Sequence, residues 1–156
     1  MFKKLNKKGF TLIELLAVII ILAILIAVAV PAVTRYLNGA RKDTFVSNAK
    51  SAIQAVADEV TINGMQSTGG TLKTKWTKAE INALLDTQLK QSPFGQDYDD
   101  TSYVAVAEDA TTGKYTYSIC LTDKGHNGFS SDAGEAIDYD SITSENIKVG
   151  NAVACQ

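Results

Sequence analysis

Histidine occurs once in these 156 residues, cysteine twice and proline twice. The lone histidine, His126, lies in Gly125-His126-Asn127-Gly128, a turn-like stretch with no second histidine or nucleophile beside it. No set of nucleophile, base and orienting group can be assembled around it. The sequence therefore offers no catalytic residue, and neither an enzymatic activity nor a cofactor is expected. Asp97, Asp99 and Asp100 form one acidic cluster and Asp138 and Asp140 another. Calcium suits such oxygen ligands, but neither cluster has the spacing of a calcium-binding loop. Both read as solvated acidic loops, and no metal site is assigned. Basic residues are also scarce beyond the N-terminal quarter. Residues 43–156 hold eight Lys/Arg against sixteen Asp/Glu, a balance that repels phosphate backbones, so direct nucleic-acid binding is not expected.

The first 42 residues are the reverse, with seven Lys/Arg and a single acid, Glu14. From Leu15 to Val30 no side chain is polar. Read as helix, residues 10–33 form a rod of roughly 36 Å, enough to cross a hydrocarbon core of about 30 Å. Lys3, Lys4, Lys7 and Lys8 precede it, and they hold the start on the cytoplasmic side while the rest passes outward. Three readings compete. A secretory signal peptide has its small-residue cleavage pattern in Ala27-Val28-Ala29. Against it, the apolar run is long and Glu14 sits where that run should be clean. A plain membrane anchor explains the length and the lysines but gives Glu14 no role. In the third reading the chain is cut between Gly9 and Phe10 and the apolar segment is kept.

The third reading uses every feature of Lys7-Lys8-Gly9-Phe10-Thr11-Leu12-Ile13-Glu14-Leu15. That stretch resembles the class III prepilin leader of type IV pilins and pseudopilins. The likeness covers residues 1 to about 60. The basic leader and the Ile/Leu/Val-rich segment look like those of Gram-positive, clostridium-like pilins. The resemblance implies that a prepilin peptidase cuts after Gly9 and methylates the new amine of Phe10. It also implies that Glu14 pairs with the Phe10 amine of a neighbouring subunit and sets the stagger between subunits. Pairing offsets the cost of holding both charges in an apolar setting, and a buried polar pair can fix register in a slippery interface. A glutamate that snorkels to the headgroups is the plainer alternative. Pro31 lies at the family's helix-weakening position, and Gly39 adds a second soft point. A simple kink at the membrane exit fits Pro31 equally well.

Beyond Pro31 the pattern turns amphipathic. Ala49, Ala52, Ile53, Val56, Ala57 and Val60 recur at three- and four-residue steps, with Asn63-Gly64 as a stop signal. A Ser/Thr/Gly-rich loop follows at 66–71. Thr77-Lys78-Ala79-Glu80 reads as a capping box, with a short helix over 77–90 carrying Ile81, Leu84, Leu85 and Leu89. Residues 102–108 and 114–121 read as strands joined by a turn at 109–113, and 147–149 as a third strand. The alternation from Tyr115 to Leu121 gives one face to the long helix and the other to solvent or the tail. The expected architecture is α+β. A leader occupies 1–9, a long helix 10–64 (10–33 in the membrane or a filament core), and a head built on a small antiparallel sheet 65–156. An exported head permits a disulfide between Cys120 and Cys155, which closes a loop of about 36 residues and adds roughly 4 kcal/mol; two free thiols are the alternative. In many pilins such a pair bounds a variable surface region, which here is 121–154.

The resemblance implies a structural subunit, a major pilin of a type IV pilus serving adhesion, twitching motility and aggregation or biofilm formation. It begins as a single-pass protein of the cytoplasmic (inner) membrane and ends in an extracellular filament. Its partners are other copies of itself, the prepilin peptidase, the assembly machinery and minor pilins. A pseudopilin of a type II secretion or competence system shares the leader. A secreted binding domain behind an ordinary signal peptide is the remaining alternative.

Overall fold

The computed structural model describes residues 9–66 and 73–156, without the side chains of 63–66. Lys3, Lys4, Lys7 and Lys8 lie outside the described residues, as does the expected 66–71 loop apart from Gln66. The order is α1 (Leu12–Gln66), β1 (Lys75–Thr77), α2 (Lys78–Leu84), β2 (Tyr103–Glu108), β3 (Tyr115–Thr122), β4 (Gly128–Phe129), β5 (Ile137–Asp138) and a 3-10 turn at Tyr139–Ser141. The class is α+β, a long N-terminal helix with a small antiparallel sheet. Two compact units divide the chain, Met1–Asn38 and Gly39–Gln156.

In the first unit α1 buries none of its large apolar side chains. Apolar side chains from Leu12 to Leu37 are exposed, Ile21 at 57% and Leu25 at 59%. The helix starts at Leu12 rather than Phe10. Thr11 and Glu14 fix that start, because the Thr11 hydroxyl accepts the Glu14 N–H (3.3 Å) and the Thr11 N–H donates to Glu14 Oε2 (2.8 Å). This reciprocal pairing satisfies orphan donors of the first turn. At its far end α1 runs past the expected stop at Asn63-Gly64 to Gln66. A helical glycine costs only about 1 kcal/mol, too little to end an established helix.

In the second unit α1 buries one stripe: Phe45, Ala49, Ala52, Ile53, Val56 and Val60. Val104 and Val106 of β2 and Ile119 and Leu121 of β3 meet this stripe. At its upper end Phe45 packs against Tyr98, Phe129 and Phe94, with ring centroids 5.3, 5.8 and 6.1 Å away. The β2–β3 hairpin forms where expected. Tyr103 pairs with Cys120 and Glu108 with Tyr115, and Gly113 N donates to Asp109 O (2.7 Å) in the turn. The sheet runs β1-β2-β3-β4, with β5 also on β3.

Two expectations for the head need correction. The 77–90 helix is only Lys78–Leu84, because the Asn82 side chain accepts the Leu89 N–H (2.6 Å) and diverts the chain from helical bonding. Ile81 and Leu89 are buried nonetheless, so the spacing marks the core correctly although the helix is short. The third strand is not at 147–149. Lys148 makes a single bridge to Gly128, while 75–77, 128–129 and 137–138 supply the extra strands. Gly128 is required there, since a Cβ would fall 2.0 Å from Leu121 O.

Candidate functional site: the start of the long helix and the pinned tail

Gly9, Phe10 and Thr11 are not helical, and Phe10 is 90% exposed. The Gly9–Phe10 peptide therefore lies just outside the capped helix. The Thr11 hydroxyl also donates to Glu14 Oε2 (2.8 Å), so both Thr11 donors converge on one carboxylate oxygen. In the single subunit Glu14 thus serves its own helix end and remains exposed. It is also the only acid before Asp43.

α1 continues unbroken through Pro31 and Gly39. Pro31 has no N–H to donate one turn back. Beside each of these residues a threonine bonds into the helix: Thr34 Oγ1 donates to Val30 O (2.9 Å) and Thr44 Oγ1 to Ala40 O (2.9 Å). Such back-bonding competes mildly with the helical ladder. A Cβ built at Gly39 meets nothing within 4 Å, so no close contact demands glycine there.

Residues 4–30 match the prokaryotic N-terminal methylation motif. It is the class III prepilin leader of type IV pilins, and it marks a pilin-like or pseudopilin-type protein. Proteins of this type are normally structural rather than catalytic. The leader implies processing by a prepilin peptidase and assembly into a pilus-like polymer. The apolar helix, long enough to cross a membrane, fits membrane anchoring before assembly. Comparisons with curated proteins and with solved structures find no match.

Cys120 and Cys155 are disulfide-bonded, with Cα atoms 5.8 Å apart, and both are buried. The bond pins the tail over the outer face of β3. There Tyr103 packs with the two cysteines, and Gln156 N donates to Gly134 O (3.0 Å). One organising residue escaped the sequence reading. Asp123 is 2% exposed and accepts from Ser92 Oγ (2.5 Å), Gly125 N (2.9 Å), Asn127 N (2.9 Å) and Asn127 Nδ2 (2.9 Å). A buried carboxylate this well satisfied joins the 92–98 segment to the 123–128 turn. Its signal lay in the dense turn residues of Asp123-Lys124-Gly125-His126-Asn127-Gly128. His126 sits in that turn at φ 57°, with its ring Nδ1 3.3 Å from Ala152 O.

The acidic clusters do not converge. Asp100 pairs with Lys78, which together with proximity to Lys124 holds its carboxyl below the usual range. Asp138 and Asp140 are exposed. Among the described residues no group of three or more His, Cys, Asp or Glu could hold a metal ion.

Proposed function

We propose that this chain is a major pilin, the structural subunit of a type IV pilus, and not an enzyme. The observation that carries the reading is the bare apolar half of α1 behind a prepilin leader. That surface is stable only in lipid or beside other copies of itself. A peptidase cuts after Gly9 and the Phe10 amine is methylated. The chain then divides into a leader (1–9), a stalk built on α1 (Leu12–Gln66) and a head formed by the residues that follow. Glu14 gives up its Thr11 contacts and pairs with the Phe10 amine of a neighbour, which fixes the stagger. Pro31 and Gly39 are the points where the helix yields as subunits leave the membrane and pack. The finished filament lies outside the cell and serves adhesion, motility and aggregation, with minor pilins and the assembly machinery as further partners.

The test is the mature N-terminus of protein sheared from cells, read by mass spectrometry. A methylated Phe10 start is expected. A start at Val30 means that the apolar segment was discarded, and an intact Met1 leaves only a membrane anchor. Either result removes the filament reading.

A further inference from the structure

Two surface stretches of opposite charge form no ion pairs among the described residues. From Leu15 to Lys42 there is no acidic residue, and Arg35, Arg41 and Lys42 supply three cations within eight positions of α1. Among the described residues none of the three is ion-paired, whereas Lys73, Lys78 and Lys148 all are. The same stretch exposes Tyr36 (77%) and Leu37 (47%), so apolar and cationic side chains share this part of α1. The second surface runs from Glu135 to Glu145. It carries Glu135, Asp138, Asp140 and Glu145, all exposed, with no Lys or Arg between 133 and 147. Its backbone is fixed. Asp138 pairs with Ser118 of β3, the 3-10 turn follows, and Ile142 is buried. None of its four carboxylates forms an ion pair among the described residues. Lys50 approaches the ledge only over the Tyr139 ring, 5.7 Å from its centroid.

We propose that the cationic stretch Arg35–Lys42 of one subunit docks on the acidic ledge Glu135–Glu145 of a second copy. This deepens the polymer reading above and rests on it. The signs are complementary, the charges nearly balance, and among the described residues neither stretch forms an ion pair within its own subunit. Single exposed ion pairs contribute little, but matched patches steer encounter, reject wrong registers and weaken with salt. Anionic lipid headgroups could also take the cations, but they would leave the ledge without a partner.

The experiment uses the full chain in cells that assemble it. It compares the triple reversal R35E/R41E/K42E, the ledge reversal E135K/D138K/D140K/E145K, and the two combined. Sheared surface filament is measured beside membrane-retained subunit, with the Cys120–Cys155 bond and the head's melting temperature as folding checks. Each reversal alone should lower filament at least about ten-fold through like-charge contact, and the combined variant should largely restore it. The proposal is overturned if the combined variant stays as low as either reversal, or if neither reversal has an effect. It is also overturned if only the cationic reversal acts and membrane retention falls with it, since lipid is then the occupant. If the unaltered chain is cut before Phe10 yet forms no filament, the polymer reading itself fails, and that outcome is distinct from the others.

Discussion

One helix, α1, lives in two environments. Between Leu12 and Asn38 its large apolar side chains are exposed, whereas between Phe45 and Val60 they narrow to a buried stripe. Phe45, Ala49, Ala52 and Val56 are each 0% exposed. The difference follows from pattern rather than from hydrophobicity. A stripe can be covered by one small sheet, but a segment apolar all round needs lipid or several neighbours. The second half draws its stability from its own chain, and the first half must find it elsewhere.

Matched truncations give the hardest test of that contrast. Phe45→Ala removes the ring that Phe94, Tyr98 and Phe129 surround and should cost the head about 3–5 kcal/mol. Ile24→Ala, in the exposed half, should leave the head's melting within about 0.5 kcal/mol of the unaltered chain. Both are read by near-ultraviolet circular dichroism of full-length protein in detergent. If the two variants melt alike, the halves are not energetically separate. A smaller loss belongs to the tail. Cys155→Ser frees the segment that covers Tyr103 and should cost about 2–4 kcal/mol, seen as a lower melting temperature and faster proteolysis after residue 123.

Alkaline pH tests the packed half alone. Burial pushes the Tyr98 hydroxyl up to about 12, against the hydrogen bond donated by Asn48. Its folded pKa lies above the ordinary value of 10, so the folded state holds the proton more tightly. This contribution is complete below pH 10 and is lost as pH rises through 12, by about 2 kcal/mol. Tyr98→Phe should flatten the fall between pH 10 and 12 while lowering stability evenly elsewhere. A fall of unchanged size in that variant would assign the effect to another group.

What the sequence made legible matches this division. The motif from Lys7 to Leu15 is contiguous, so its resemblance to a prepilin leader could be read without any fold. The stripe from Ala49 to Val60 and the β2–β3 hairpin follow local periodicity and turn residues, and both appear in the structure within a residue or two. The strands of two and three residues were not legible, because nothing local specifies them: β4 and β5 exist only where they meet β3. Asp123 was missed for a related reason. Its partner Ser92 is 31 positions away, and an aspartate among turn residues reads as solvated until the fold buries it. The short α2 turned on one side-chain bond, Asn82 to Leu89, which periodicity cannot show.

The smallest expected effect concerns the boundary between the two environments. Gly39 is exposed, helical and free of any neighbour that a Cβ would touch. Nothing in the packing of the single subunit requires glycine there, so Gly39→Ala should strengthen the helix by about 0.5–1 kcal/mol. Hydrogen exchange of the amides from 36 to 44 in detergent should slow by about two- to five-fold, with the head's melting unchanged. If the weak point serves assembly, the same variant should also be slower to enter filaments although it is the more stable helix. A stiffer helix that assembles at the normal rate would confine the yielding to Pro31, where the missing N–H acts whatever residue occupies position 39.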